Sequence, residues 1–467
     1  MTSAARLADK ELIPRVPSGS LHDLLHHLFR PIEILELLLH DVPTPILHDR
    51  IPASTGRDHG RRIHRSDVCH QVQREQAELI MRDPVVDRLA ERLDLFTGKR
   101  ILVVGDIAFD RTIRCIPSPE GRHARHAREQ MYDVVPGGDD FGAVGASNNT
   151  CMFCSAVGAS TTLVAVTGAD PEGERVAAIL AREGVTSRLL RLPGIQTVTR
   201  VRYFAPREEA GQDEMLYRFD KDPDTAVSSL KALEAIESGD FLEWFEREVE
   251  KSDAVLFNDT DKGFLSPAVL EVLRGGIDRV RSGRRDRALT GPLVVVDPKV
   301  EWTKYGGLRV DILKPNHVEA CKAIGWQVID PAKKEDLRAL GCELAVRMSD
   351  RFPLLVVTCG AHGAIVVQRN GRDAIIRHHH GIPAMASPDG AATHCGDVFV
   401  TSLTLALTVG AHVDDAVDFA NYAASVQYGK PAGEKVGLAD LVSAGQRAHL
   451  AAHVQPSTRI AELHDLG

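Results

Sequence analysis

Short apolar runs recur along the chain from about residue 100, and polar residues follow most of them. Five such runs lie at 101–104, 162–166, 254–257, 293–296 and 354–357. Runs of this length and composition are typical of strands buried on both faces of a parallel sheet. Helical patterns lie between most of them, for example at 172–183 and 334–350. We therefore predict an α/β fold whose mostly parallel sheet is covered by helices on both faces.

The chain divides near residue 96. The part before it has helical apolar spacing at 21–29 and 32–39, then a loop rich in Pro, His and Arg, and then a further helical pattern. Residues 1–95 are predicted to form a helical N-terminal extension, whose role is open. Residues 96–450 are predicted to form the main domain, and residues 451–467 a C-terminal tail.

Composition narrows the function classes. The 467-residue chain has a net charge of −9 and no basic block, which argues against nucleic acid as a partner. No apolar run is long enough to cross a membrane, and the N-terminus has no recognisable secretory signal. Eight scattered cysteines are typical of free thiols in a reducing compartment. The sequence thus predicts a cytoplasmic protein that acts on small molecules.

Polar side chains collect where the predicted strands end. They are Asp106 and Asp110, Asn258 and Asp259, Asp297 and Lys299, and residues 358–363. In open parallel sheets ligands bind beyond the carboxyl ends of the strands, so we expect the site at this edge. The dinucleotide signature G-x-G-x-x-G is missing after the first strand, and the chain has no Walker A sequence.

Gly396 and Asp397 open the apolar segment 398–407. The N-terminal end of a helix carries partial positive charge and attracts phosphate, and a carboxylate beside it can accept a proton. Taken alone, Asp397 is better explained as a helix cap, because Asp is common there. Taken with the polar residues at the other strand ends, the pair favours transfer of a phosphoryl group to a hydroxyl.

These features occur in the order found in the ribokinase-like, PfkB-type sugar kinases, and the resemblance covers about residues 98–445. Six motifs carry it: Gly105-Asp106 with Asp110, 145–149, the Gly-x-Asp-x-x-Gly turn at 168–173, the Asn-x-x-Glu motif at 316–319, 358–363, and 396–397. Each motif is weak alone, and their common order is the signal. The resemblance implies a three-layer α/β/α domain with a small β lid, with ATP as co-substrate and Mg²⁺ as cofactor.

The resemblance also implies a role for each matching residue. The catalytic segment is His394, Cys395, Gly396 and Asp397, with Asp397 as the base. The acceptor would be held by Asp106, Asp110, Gly145 and Asn149, and by the lid residues Arg200, Arg202 and Arg218. The nucleotide would be held by Lys299, Asn316, Thr358, Gly360, Gly363 and Asn421, and Glu319 would act on Mg²⁺ indirectly. The family also raises the prospect of a homodimer formed through the lid.

Within that family, several short segments of the sequence are most similar to kinases of D-glycero-D-manno-heptose 7-phosphate. The segments 261–266, 297–299, 305–307, 313–316 and 419–426 carry this similarity. The preferred acceptor is therefore a sugar or sugar phosphate resembling a heptose phosphate. A same-fold kinase for a hexose, a ketose acid or a nucleoside stays open. No H-x-G-H sequence or second α/β domain indicates a nucleotidyltransferase.

One segment departs from the family pattern Asp-x-Thr-Gly-Ala-Gly-Asp. Here Ala391 replaces the leading aspartate, His394 the first glycine, and Cys395 the alanine. A side chain at His394 would crowd the anion site, contact the phosphate, or change the backbone, since only glycine freely adopts positive φ. Because of this departure a third hypothesis stays open, in which the protein is a non-catalytic pseudokinase that binds sugar or nucleotide.

Overall fold

The computed structural model describes residues 93–117, 132–134, 141–206, 213–283, 291–382, 394–430, 434–442 and 458–463. The predicted helical extension lies outside these residues, apart from a short 3₁₀ helix at Leu93–Phe96.

The main sheet has ten strands. They are β1 (Arg100–Gly105), β5 (Ser160–Gly168), β6 (Thr186–Leu192), β9 (Ala254–Asn258), β10 (Leu293–Asp297), β11 (Ile312–Leu313), β12 (Leu354–Thr358), β13 (Ala364–Asn370), β14 (Asp373–His379) and β15 (Thr458–Leu463). Their spatial order is β15-β14-β13-β12-β11-β10-β9-β1-β5-β6. All seven strands from β12 to β6 pair in parallel, and β13, β14 and β15 add antiparallel pairs at one edge. All five predicted strands are therefore confirmed, and so is the mostly parallel sheet.

Nine α-helices accompany this sheet in the described part of the chain. They are α1 (Ser147–Ala156), α2 (Pro171–Arg182), α3 (Thr225–Glu237), α4 (Phe241–Lys251), α5 (Pro267–Gly283), α6 (His317–Ala323), α7 (Lys334–Met348), α8 (Cys395–Thr408) and α9 (Val413–Tyr428). The two predicted helices are α2 and α7, with ends one or two residues away from those expected.

Alternation along the central strand separates two apolar cores. In β1, Ile101 and Val103 pack into one core with α1, α2, α8 and α9, whereas Leu102 and Val104 pack into the other with α3 to α7. Successive side chains of a strand point to opposite faces, so a continuous apolar run fills both layers. The predicted three-layer α/β/α arrangement follows directly from this pattern.

A second, five-stranded sheet forms the predicted lid. Its strands are β2 (Ile107–Pro117), β3 (Tyr132–Val134), β4 (Phe141–Ala146), β7 (Thr199–Pro206) and β8 (Asp213–Lys221). Strand β1 ends at Gly105, and after the single residue Asp106 strand β2 begins and pairs with β3, β4 and β7. The lid therefore begins at the carboxyl edge of the main sheet, where the ligand site is expected.

Two further features concern the ends and surface of the fold. Thr458–Leu463, within the segment predicted as a tail, pairs with β14 at the edge of the main sheet. None of the described helices has the length and apolar character needed to cross a membrane.

Candidate active site

The N-terminus of α8 lies at the centre of the site. His394 precedes the helix with φ of 65°, in the left-handed region, and its side chain makes no capping hydrogen bond. The first N–H groups of a helix lack acceptors within it. Glycine adopts this conformation without strain, and histidine is among the residues that tolerate it. His394 thus has a left-handed backbone conformation that glycine adopts freely.

Asp397 stands in the first turn of α8, held by two amides from distant parts of the chain. Asn149 Nδ2 donates to its Oδ2 at 2.9 Å, and Asn258 Nδ2 lies 3.4 Å from its Oδ1. The His394 ring nitrogen Nδ1 is 4.0 Å from Oδ2. Burial lowers the pKa of His394, although the charge of Asp397 opposes the shift. The amides fix the carboxylate's direction without supplying a charge.

A buried ion pair lies beside this turn. Lys314 Nζ is 2.8 Å from Asp297 Oδ2 and 3.4 Å from the Gly396 carbonyl oxygen, and the Lys314 side chain is only 5% exposed. Burial raises the pKa of Asp297 to about 6, although Lys314 pulls it down. The pair therefore places a positive charge within reach of the α8 N-terminus.

Glu319 and Asn316 form a capping box at the start of α6. The Asn316 side chain accepts from the Glu319 N–H, and Glu319 Oε2 accepts from the Asn316 N–H, both at 2.9 Å. The other oxygen, Oε1, accepts from Lys299 Nζ at 3.0 Å. Both carboxylate oxygens of Glu319 are thus occupied, so an indirect role toward a metal fits better than direct ligation. Burial alone would lower the pKa of Lys299, but the negative charge of Glu319 raises it above its ordinary value.

The predicted nucleotide loop follows β12. Thr358 bridges to Asn316, and its N–H donates to the Pro315 carbonyl at 2.9 Å, which brings two nucleotide motifs together. Gly360 and Gly363 both have positive φ, 59° and 88°. A Cβ at Gly363 would lie 1.9 Å from the His379 carbonyl oxygen, so this turn requires glycine.

Asn421 lies on the face of α9 that carries Asp414 and Asp418, because residues three or four apart share a helix face. It is 8% exposed, and its Nδ2 has no hydrogen-bond acceptor among the described residues. Both aspartates bond the fully buried His379 of β14: Asp418 lies 2.7 Å from Nδ1 and Asp414 3.1 Å from Nε2. The ion cluster fixes α9 against β14, next to the Gly363 turn.

This cluster makes stability depend on pH. Burial alone would lower the pKa of His379, but hydrogen bonds to Asp414 and Asp418 raise it to about 9. A raised histidine pKa stabilises the fold fully below pH 6.5, and the contribution is lost as the pH rises through 9. We expect His379→Gln to lower the free energy of unfolding by about 3 kcal/mol more at pH 6 than at pH 10, measured by urea denaturation. The exposed His362→Gln is the control, and an equal loss at both pH values would contradict this assignment.

Asp110 and Gly145 occupy the acceptor side, on the paired strands β2 and β4. Arg202 Nη1 donates to Asp110 Oδ1 at 2.8 Å from the neighbouring strand β7. A Cβ at Gly145 would lie 2.2 Å from Asp110 Oδ2, so the missing side chain makes room for this carboxylate. The structure therefore brings Asp110, Gly145 and Arg202 together, as expected for one subsite.

The other lid arginines flank this pair. Arg218 lies opposite Arg202 across β7 and β8, and donates twice to Asp220, at 2.8 and 2.7 Å. Arg200 lies opposite Asp220 in the same ladder. Two of the three predicted lid cations thus already bond carboxylates.

Asp106 has a structural environment. Its Oδ2 accepts from the Thr260 N–H at 2.8 Å, from the Thr260 hydroxyl at 3.0 Å and from the Lys262 N–H at 3.2 Å. Burial and the neighbouring charge of Asp259 raise its pKa to about 6. The carboxylate fastens the turn after β9, and its role as a sugar ligand stays a prediction.

Sequence reasoning assigned no role to Asn258, Asp297, Lys314 or Lys435. Asp297 and Asn258 were recognised as strand-end polar residues, and Lys314 as part of a motif. Their contacts with Asp397 and Gly396 join positions 82 to 139 residues apart, which periodicity does not reveal. Lys435 carried no signal in the sequence.

The carboxylates near the α8 N-terminus are compatible with a cation that is bound mainly by the phosphates of a nucleotide. Among the described residues, no group of three or more His, Cys, Asp or Glu side chains could hold a metal ion. Mg²⁺ commonly keeps several waters and uses one or two carboxylates plus substrate phosphates. Asp297 fits that arrangement as a nearby carboxylate, and Glu319 fits it only indirectly, because both of its oxygens already accept hydrogen bonds.

Comparisons with known proteins agree with this geometry. Residues 290–435 match the pfkB family carbohydrate kinase model. The Bifunctional protein HldE of Caulobacter vibrioides is 28% identical over 366 residues, covering 78% of this chain and 66% of that protein. The protein of the same name from Paramagnetospirillum magneticum is 29% identical over 384 residues, covering 81% and 70%. This chain spans about two thirds of the length of these relatives.

Solved structures show the same fold. Phosphofructokinase-2 from Escherichia coli in complex with potassium superposes with a TM-score of 0.54 at 16% identity, covering 76% of this chain and all of that one. Arabidopsis thaliana ribokinase complexed with ribose and ATP gives 0.51 at 17% identity, covering 75% and 99%.

The main sheet, its flanking helices and the lid share the fold of the phosphofructokinase-2 and ribokinase structures. The segment 290–435 is similar to the pfkB family of carbohydrate kinases.

Proposed function

We propose that this protein transfers the γ-phosphoryl group of ATP to a hydroxyl of a sugar or sugar phosphate. The observation that carries the proposal is the α8 N-terminus, where Asp397 stands in the first helical turn with its carboxylate held by Asn149 and Asn258. This arrangement puts a proton acceptor beside an anion-attracting helix end. The family match and the ribokinase-like fold support it.

The reaction needs positioning, charge stabilisation and a base. Asp397 accepts the proton of the attacking hydroxyl, and Asn149 and Asn258 hold its carboxylate in line. The backbone N–H groups of residues 394–397 face the charge that develops on the transferred group. The left-handed backbone at His394 gives this turn its shape.

Charge on the nucleotide side comes from Lys314 and from a bound cation. Lys314 lies between Asp297 and the Gly396 carbonyl, so its ammonium can contact a phosphate oxygen at the α8 turn. Asp297, and Glu319 indirectly, would help to hold Mg²⁺ beside the nucleotide, where the cation would neutralise charge on the phosphates. Asn421 offers an unused Nδ2 donor for the nucleotide, and Thr358, Gly360 and Gly363 form its loop.

For the acceptor we propose a sugar phosphate resembling a heptose 7-phosphate. The resemblance of segments 297–299 and 419–426 to heptose phosphate kinases supports this choice, as does the set of cations on the acceptor side, Arg200, Arg202 and Arg218. Asp110 and Asn149 would bind the sugar hydroxyls. We further propose a cytoplasmic location, supported by seven free cysteines in the described residues.

ADP release tests the proposal directly. The assay uses Mg²⁺ and ATP with a panel of free and phosphorylated heptoses, hexoses, ketose acids and nucleosides. We expect the highest kcat/KM with a phosphorylated heptose, at least about 10-fold above its free sugar, because one charge-assisted contact contributes about 1.5–3 kcal/mol. A preference for a free sugar or nucleoside would support the same-fold alternative. Nucleotide binding without ADP release on any acceptor would support the pseudokinase.

The lid also presents a surface suited to self-association. Tyr217 and Phe219 share one face of β8, where the Phe219 ring contacts Tyr203 and Tyr217. With Met215 they are 50–59% exposed, and β8 is an edge strand of the lid sheet. Exposed apolar residues on an edge strand favour pairing with another chain. We propose a homodimer formed through this face of the lid.

A further inference from the structure

A cavity opens beside the catalytic turn, between α1, α8 and residues 434–436. Asn149, His394, Gln427 and Lys435 line it together with the apolar side chains of Phe153 and Val398. It adjoins Asp397 through Asn149, whose side chain donates to the Asp397 carboxylate. No part of the proposed mechanism uses Lys435.

The backbone around Lys435 is fixed by one buried side chain. Gln427 Nε2 donates to the Glu434 carbonyl at 2.9 Å, and Gln427 Oε1 accepts from the Val436 N–H at 2.9 Å. Gln427 and Val436 are each 1% exposed. The two residues that flank Lys435 are therefore tied to α9, which sets the position of the lysine before any ligand arrives.

Two polar groups of this cavity have no partner among the described residues. The Asn149 side chain is 6% exposed, and its Oδ1 accepts no hydrogen bond. Lys435 makes no hydrogen bond and has no carboxylate within ion-pair distance in the same part of the chain. A buried acceptor without a donor costs about 1–3 kcal/mol. The unsatisfied Asn149 oxygen in the same cavity as the Lys435 ammonium therefore points to a ligand that offers a donor and a negative charge.

The charges around the lysine fit an acceptor subsite. Burial lowers the pKa of Lys435, and the negative charges of Glu183, Asp397 and Asp110 oppose that shift. Asp397 and Asp110 are the two carboxylates proposed to meet the acceptor. By contrast, the lid cations Arg202 and Arg218 already bond Asp110 and Asp220. The half-buried Lys435 ammonium has no such ion pair to break. Binding an anion therefore costs less free energy at Lys435 than at these arginines.

We propose that Lys435 is a specificity residue that binds the anionic group of the acceptor, while Asn149 Oδ1 accepts a hydrogen bond from a neighbouring hydroxyl. This proposal rests on the proposed function for the identity of the acceptor. It adds to that function the residue that contacts the acceptor's negative charge. The chemical class that it selects is a phosphorylated sugar.

The test measures the dissociation constant of heptose 7-phosphate and of free heptose by calorimetry, for the parent and for Lys435→Met, Lys435→Arg and Arg218→Ala. The control is Lys322→Met, an exposed lysine on α6. We expect Lys435→Met to weaken the phosphorylated sugar about 10- to 100-fold and the free sugar less than 3-fold. Lys435→Arg should retain most of the affinity, which shows that the segment still folds.

Several outcomes overturn the proposal. They are equal loss for both sugars, no loss in Lys435→Met, a larger selective loss in Arg218→Ala, and no binding of heptose 7-phosphate to the parent. Because binding is measured without turnover, the two proposals can fail separately. A selective loss in a protein that releases no ADP would keep the anion subsite and reject the kinase.

Discussion

Replacing Asp397 with Asn is expected to reduce turnover by roughly 10²- to 10⁴-fold, the usual effect of removing a general base. The amide has the same shape as the carboxylate but cannot accept the proton of the attacking hydroxyl. ATP affinity should stay within about 3-fold, because Asp397 contacts Asn149 and Asn258 rather than the nucleotide loop. Steady-state ADP release and ATP titration give the two values.

The matched control is Asp278→Asn, which changes a half-buried carboxylate on α5 far from the site. Its turnover should equal that of the parent. If Asp397→Asn keeps turnover within a few-fold of the parent, Asp397 is not the base, and the proton must leave by another route.

Replacing Lys314 with Met is expected to lower both turnover and stability. Breaking a buried ion pair by removing one partner costs about 3–5 kcal/mol, because Asp297 is left buried without its cation. The loss should be larger at pH 8 than at pH 5, since Asp297 becomes neutral at the lower pH and needs no partner. Turnover should fall about 10²- to 10³-fold through loss of a charge beside the transferred phosphoryl group.

A double variant separates the two effects. In Lys314→Met combined with Asp297→Asn no unpaired buried carboxylate remains, so most of the free energy of unfolding should return. Turnover should stay below that of the single Asp297→Asn variant, because the positive charge is missing as well. Recovery of turnover together with stability would mean that Lys314 only supports the fold.

The sheet could be predicted from sequence because it depends on local composition. Strands buried on both faces must be continuously apolar, and each of the five runs became a strand with both neighbouring layers packed on it. The short strand Ile312–Leu313 and the edge strand Thr458–Leu463 escaped prediction. The first has only two residues, and the second depends on pairing with β14.

The site could be predicted only as a set of candidates. The strand-end rule placed Asp110, Asp297 and Thr358 at one edge, but the contact between Asn149 and Asp397 joins residues 248 positions apart. The spacing of Asn316 and Glu319 also matched a capping box, a signal that could have revealed the occupied oxygens of Glu319. The position of Lys435 depends on the hydrogen bonds from the Gln427 side chain to the backbone of Glu434 and Val436. No local sequence pattern reveals these bonds.

The central claim is that the α8 N-terminus with Asp397 moves a phosphoryl group from ATP to a sugar hydroxyl. The most direct measurement follows label from γ-³³P-ATP into heptose 7-phosphate in the presence of Mg²⁺, with parent and Asp397→Asn side by side. We expect a labelled bisphosphorylated sugar with the parent, and at least about 100-fold less with the variant. Label found only in inorganic phosphate, or equal labelling of the sugar by both proteins, would contradict the account.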